Sequence, residues 1–396
     1  VSARAPLVLL ANARLPSQRA QSLQVVQMSA AFARAGAPTR LLYARRHRTP
    51  PLPAGVELWD YYGVPRGARP ELEAVRCIDW IDRMPRALQY VPARLQEQSF
   101  AKNAARRVLA AHADARILSR EAESALELVR KKKSGVFLEI HRVPAGRLRR
   151  KWLLAAARGA VGVIAISSGV RDDLAELGIA PERLRVEHDG FEATRFLRLP
   201  SRRKARAELG LPEAAPLCVY TGGLLEWKGV DVLVEAARRL PSVYFAIAGG
   251  MEADVKKLRQ RVGGASNVRI DGFQPPERVA LYLAAADLAA VPNKSRPAIS
   301  AKYTSPLKLF EAMAAGIALV ASDLPSLREL LTHERDALLV APDDAAALAQ
   351  AIERLVGDDG LRRELAQNLH ARQSEHTWDA RAKRILDWMD ACEAKS

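Results

Sequence analysis

A lysine and a glutamate three residues apart, Lys308 and Glu311, stand just inside a stretch whose pattern starts a helix. Ser305 is an N-cap type, and Pro306 suits the first helical position because the amide hydrogen it lacks would find no partner there. Leu307, Phe310, Met313 and Ala314 follow at helical spacing, so a helix is expected to begin at Pro306. Its first-turn N–H groups carry partial positive charge and no internal partner; Lys308 adds a full charge, and Glu311 lies one turn further in. Such a tip suits phosphate, with the carboxylate left to accept hydrogen bonds from sugar hydroxyls. The plainer alternative is an ordinary capped helix whose Glu311 is solvated or pairs with Lys308.

The elements around this tip decide between the two. Upstream, DLAAVPNKSRPAISAK reads as a buried strand at 288–291 and a loop with Pro, Ser and Lys; downstream, GIALVASDLP reads as a strand at 318–321 ending in a polar turn. Strand, loop, helix and strand make one unit of a doubly wound sheet, which binds anions outside the carboxyl ends of its strands. LCVYTGG, YFAIAGG and NVRIDGF read as further strands, with helices in LLEWKGVDVLVEAARRL and PERVALYLAAA. The front half carries a second set. LVLLAN, TRLLYA, ARILS, GVFLEIH and GVIAIS read as strands, SLQVVQMSAAFARAG as a helix closed by Gly36, and 100–112, 148–158 and 168–177 as helices. Residues 50–98, rich in Pro, aromatic residues and Arg, read as irregular. The fold class is therefore α/β, with two Rossmann-like domains. The first loop lacks G-x-G-x-x-G, and Lys228 precedes Gly229 with no Ser or Thr after it, so neither the dinucleotide fingerprint nor a P-loop is present there.

SPLKLFEAMAAG, followed by VASDLPSLREL and later by TWDARAKRIL, resembles the donor-binding half of a retaining glycosyltransferase of GT-B architecture, family 4 (glycosyl transferases group 1). The resemblance covers nearly the whole chain, closely in the second half and loosely before it. It implies two Rossmann-like domains facing across a cleft: an acceptor-binding domain at 1–195, a nucleotide-sugar donor domain at 196–375, and a helix at 376–396 returning to the first. RLRVEHDGFEATRF matches the stretch that leaves the first domain. By the same resemblance, Gly222, Gly223 and Lys228 of YTGGLLEWKG form the donor-phosphate loop, and Phe273 and Gln274 of GFQPPERV face the nucleobase. Ser305, Leu307, Lys308 and Glu311 complete the donor site. His141 of EIH matches the strand end that brings a catalytic histidine to the donor sugar, although a histidine in that place is often an ordinary structural residue. Arg14, Gln18 and Arg19 of the first loop, with Arg120 after ARILS, fall on the acceptor side, with simple surface polarity as the alternative.

Two positions depart from the family pattern. Gly223 stands where many members have an arginine, and Tyr303 stands where they have the first carboxylate of E-x7-E, of which Glu311 is the second. The implied reaction moves a glycosyl group from a nucleotide diphosphate sugar to an acceptor hydroxyl with retention, in glycan or glycoconjugate biosynthesis. A helix N-terminus with Lys228 and Lys308 is a preorganised way to stabilise the leaving group. No D-x-D motif occurs, so no obligatory metal and no cofactor are expected beyond the nucleotide sugar as co-substrate. A nucleotide-sugar epimerase or hydrolase of the same architecture, and a homologue that only binds, are the rivals.

The 396 residues are enough for two domains with separate cores. The net charge of +16 points to acidic partners. A non-catalytic nucleic-acid binder would explain the charge, but the aromatic and basic interleaving of a stacking platform is lacking, so no nucleic acid is expected. Arg142, Arg147, Arg149, Arg150 and Lys151 form a cluster without an acidic residue beside Trp152, Leu153 and Leu154, which on a helix gives a basic face next to an apolar one. That arrangement suits an anionic membrane surface and a lipid-linked or anionic acceptor. Three widely spaced cysteines and no apolar run of spanning length lead us to expect a cytoplasmic protein, with the inner face of the membrane as a peripheral location.

Overall fold

Short apolar runs bounded by turn residues become strands that are buried on both faces, as parallel sheets covered by helices require. The computed structural model describes residues 4–394, apart from the side chains at positions 68 and 86. The chain divides into two units, residues 1–188 with 378–396, and residues 189–377.

The first unit holds β1 (Leu7–Ala11), β2 (Thr39–Arg45), β3 (Glu71–Arg76), β4 (Arg116–Ser119), β5 (Val136–Ile140), β6 (Gly162–Ala165) and β7 (Leu184–Val186). They form one parallel sheet in the order β3-β2-β1-β4-β5-β6-β7. Strand order reverses between β1 and β4, so the loops after these two strands flank the natural ligand crevice of this sheet. The helix Trp378–Glu393 belongs to this unit, with Trp378, Ile385, Leu386 and Met389 buried. Trp388 packs so closely on Gly162 that a Cβ there would lie 2.4 Å from the indole ring.

The second unit holds β8 (Leu217–Thr221), β9 (Tyr244–Ala248), β10 (Val268–Gly272), β11 (Leu288–Val291), β12 (Ala318–Ser322) and β13 (Leu338–Val340), all parallel in the order β10-β9-β8-β11-β12-β13. Side chains alternate between its two cores: Leu217 and Val219 join one, and Cys218 and Tyr220 the other. The reversal here lies between β8 and β11.

The expectation for residues 50–98 fails in two places. They contain the edge strand β3, whose charged residues alternate with partly buried ones and hide its pattern; Glu73 pairs with Arg40 of β2 at 3.2 Å. The following helix spans Tyr90–Ala111, ten residues earlier than expected at its start. Pro92 sits in its first turn, where a missing N–H leaves no hydrogen bond unmade. Among the described residues no helix is long and apolar enough to cross a membrane.

Candidate functional site

The helix predicted from Pro306 spans Leu307–Ala315. Pro306 itself takes the N-cap position with extended backbone, and Ser305 does not cap it: the Ser305 hydroxyl accepts the Asp189 N–H at 2.8 Å. Gly316 closes the helix in the left-handed conformation that its lack of a Cβ permits.

Lys308 is buried in the first turn, and its Nζ has no hydrogen-bond partner. The ammonium lies 3.6 Å from the centroid of the Tyr220 ring at the end of β8. Gly222, the first residue after β8, has φ of 130°, and a Cβ on it would meet Lys308 Cε at 3.3 Å. Gly223 approaches Lys228 in the same way, a Cβ there falling 3.8 Å from Nζ, and its carbonyl accepts the Tyr220 hydroxyl at 2.7 Å. Gly222 thus leaves room for Lys308 beside the strand reversal, while a Cβ at Gly223 would make only ordinary contact with Lys228. Burial and then the positive charge of Lys228 push Lys308 well below the usual lysine range, with Glu311 opposing. Burial also lowers Lys228, which keeps part of its surface open. Glu311 is buried, and that burial raises its carboxyl against the pull of Arg195, whose Nη1 stands 3.8 Å away, and of Lys308. Lys308 thus brings a desolvated amine to a helix N-terminus, with Lys228 near enough to lower it further, an arrangement that suits an anion.

The loops that carry these groups press on their neighbours. A Cβ on Gly229 would lie 1.7 Å from the Pro292 carbonyl after β11, and one on Gly249 after β9 would lie 2.2 Å from the Gly222 carbonyl. The loop after β8 is therefore held by backbone against backbone at positions only glycine can fill.

In the first unit, His141 follows β5. Its Nε2 lies 2.6 Å from Oε1 of Glu139, two residues earlier on the same face of the strand. Arg120 Nη2 stands 2.7 Å from the same nitrogen. One neutral ring nitrogen cannot both donate to Glu139 and accept from Arg120. Glu139 also accepts from Gln24 at 3.0 Å and lies 3.4 Å from Arg381 of the C-terminal helix, itself fully buried. Burial alone would raise the Glu139 carboxyl; Arg381, the hydrogen bond with His141 and the Arg120 charge outweigh it and hold it well below the usual range. Close by in sequence, burial pushes Glu121 up to about 7 against the pull of Arg120 and the Asn12 N–H, and its Oε2 is buried without a hydrogen-bond partner.

Of the residues singled out from sequence, Lys228, Lys308, Gly222 and Gly223 come together, with Glu311 on the same helix as Lys308. Arg120 joins His141. Arg14 instead pairs with Asp82, while Gln18 and Arg19 are exposed. Gln274 is occupied locally, donating to the Asp271 carbonyl at 2.9 Å and accepting from Arg278 at 3.0 Å; Phe273 and Leu307 are half-buried. Sequence reasoning missed Arg195, Glu139 and Arg381. The i,i+2 spacing of Glu139 and His141 was a usable signal; the approach of Arg381 from the far end of the chain left none. Among the described residues, no three His, Cys, Asp or Glu side chains gather as a metal site.

Residues 201–372 match the family described as glycosyl transferases group 1. This part of the chain is similar to the glycosyl transferases group 1. It contains both lysines, Glu311, Gly222 and Gly223. The chain is 30% identical over 259 residues to the D-inositol 3-phosphate glycosyltransferase of Xylanimonas cellulosilytica, a match that spans 62% of this chain and 60% of that relative. In solved structures, the sucrose-phosphate synthase of Thermosynechococcus elongatus superposes with a TM-score of 0.76 at 22% identity, covering 99% of this chain and 100% of that one. Anabaena HepE, solved in complex with UDP-glucose, superposes with a TM-score of 0.73 at 18% identity, over 98% and 99% of the two chains. The group 1 domain and the unit before it thus have the parallel-sheet α/β folds of GT-B glycosyltransferases.

Proposed function

We propose that the protein is a retaining, family 4 type glycosyltransferase that moves a sugar from a nucleotide diphosphate sugar to an acceptor hydroxyl in glycan or glycoconjugate biosynthesis. The observation that carries this reading is the buried Lys308 ammonium, without a hydrogen-bond partner and close enough to Lys228 to feel its charge, at the N-terminus of a helix in the group 1 domain. In the reaction the acceptor oxygen replaces the diphosphate at the anomeric carbon, the acceptor proton is released, and the diphosphate gains negative charge as it leaves. Lys228, Lys308 and the first-turn N–H groups meet that charge without reorganisation, which is where such a site lowers a barrier. Glu311 accepts from the ribose hydroxyls, Phe273 and Gln274 attend the base, and His141 of the first unit attends the transferred sugar. No metal step is part of this reading. The UDP-glucose complex of Anabaena HepE supports a nucleotide sugar as the donor class. An anionic or lipid-linked acceptor, and a cytoplasmic protein in peripheral contact with an anionic membrane, belong to the same reading.

The test is incubation with a panel of nucleotide sugars, with and without candidate acceptors, following nucleotide release and the anomeric configuration of the product. Acceptor-dependent release with retained configuration supports transfer; release without acceptor would assign hydrolysis or epimerisation instead. His141→Ala should bind nucleotide as wild type does and transfer less.

A further inference from the structure

Most of the large apolar side chains exposed among the described residues fall in one segment, residues 78–95, between β3 and the second turn of the helix Tyr90–Ala111. Leu88, Tyr90 and Val91 are 63%, 71% and 62% exposed, and Trp80, Met84 and Leu95 are exposed beside them in sequence. Apolar exposure concentrated in one short segment points to an interaction surface. Its carboxylates are all engaged by arginines: Asp79 by Arg46 at 2.9 Å, Asp82 by Arg14, and Glu97, just beyond, by Arg94 and by Arg149 at 3.3 Å. Arg83 remains exposed among the apolar residues.

The Arg149 contact ties this segment to the basic helix Arg147–Gly159, and Arg149 also lies 3.6 Å from Glu123. That helix turns Leu153, Ala156 and Ala157 into the core, while Trp152 and Leu154 stay half-buried. Outward, Arg147, Arg150, Lys151 and Arg158 line a shallow groove together with Leu154 and Ala155. Leu148, 59% exposed, is its most exposed large apolar side chain. The strands of this sheet run parallel, so the segment after β3, the basic helix after β5 and His141 all follow strand ends on one edge of the sheet.

We infer that residues 78–95 and the basic helix form one docking surface for an anionic lipid bilayer, the segment entering the interface with its apolar side chains while the helix holds the headgroups. Tryptophan and tyrosine with leucine, valine and methionine suit the interfacial layer, and the surplus of cations without an uncompensated carboxylate suits anionic headgroups. A surface of this composition gains affinity from both terms at once. The inference extends the membrane part of the proposed function and rests on it only for the delivery of an acceptor; nucleotide binding, measured without vesicles, tests the donor site separately.

The experiment is vesicle flotation of the full chain with phosphatidylcholine alone and with added phosphatidylglycerol, at low and high salt. Wild type should float with the anionic vesicles and less so in high salt. The double variant Leu88→Glu, Val91→Glu, which changes only exposed positions, should bind about tenfold or more weakly, because two apolar side chains no longer leave water. Arg147→Glu with Lys151→Glu should remove the salt-sensitive part. Three results would overturn the inference. Wild type could stay with the supernatant for both vesicle types, or the Leu88/Val91 variant could float like wild type. Sedimentation could instead show that wild type self-associates through this segment without floating, which would make a second copy the partner.

Discussion

Replacing Lys308 by methionine removes the ammonium and keeps the stem, and stability and affinity should then move in opposite directions. In the free protein this charge is buried, has no hydrogen-bond partner and faces a second lysine, so the fold carries it at a loss. Exchanging a buried ion for an apolar side chain of similar shape is often stabilising by 1–4 kcal/mol, and with Tyr220 already offering its ring face we take the low end, about 1 to 2 kcal/mol. For a unit of this size each kcal/mol raises the unfolding midpoint by about 2–4 °C. The nucleotide loses a charged hydrogen-bond partner worth roughly 1.5–3 kcal/mol, which weakens binding about 10- to 150-fold. Thermal unfolding, with calorimetric titration of whichever of UDP, GDP and ADP binds wild type, reads both quantities. A lower midpoint with unchanged affinity would make Lys308 a structural residue and refute the reasoning.

Diphosphate binding should take up protons. Lys308 and Lys228 are lowered in the free protein and a bound anion raises them again, so between the free and bound values each gains a proton; equal binding enthalpies in buffers of different ionisation enthalpy would argue against this. Glu139→Gln should destabilise the first unit by about 3–5 kcal/mol, because Arg381 is left buried without its carboxylate. Its folded pKa lies below the ordinary 4.5, so its contribution is complete above that pH and lost as pH falls toward the folded value. The variant should therefore show a flatter acid limb, and an unchanged limb would place the acid sensitivity elsewhere. Gly249→Ala, with φ of 129° and a Cβ 2.2 Å from the Gly222 carbonyl, should cost at least about 2 kcal/mol and weaken nucleotide binding by moving that loop, so wild-type urea unfolding and affinity would count against the packing argument.

Local chemistry was readable where one pattern dominated. The strand Leu288–Val291 and the helix Leu307–Ala315 follow from apolar spacing and from Pro306, and Gly316 marks the helix end. The strand β3 was hidden because edge strands carry charge on the pattern that usually reveals them, and Pro92 masked a helix start that tolerates it. Ser305 looked like a cap but answers a backbone N–H more than a hundred positions away, at Asp189. Lys228 and Lys308 were each visible by resemblance, yet the burial of Lys308 over Tyr220 and beside Gly222 is a product of strand order. The same holds for Arg195 beside Glu311 and for Arg381 beside Glu139: partners from distant segments leave no periodic trace.

The central claim is that the lysine pair of the group 1 domain holds a nucleotide diphosphate. Calorimetric titration of wild type and of the Lys228→Met, Lys308→Met double variant with UDP, GDP and ADP tests it most directly. Wild type should show saturable binding of at least one nucleotide at one site per chain, and the double variant none while its unfolding midpoint is equal or higher. Wild type that binds none of the three, or a folded double variant that binds as tightly as wild type, would contradict it.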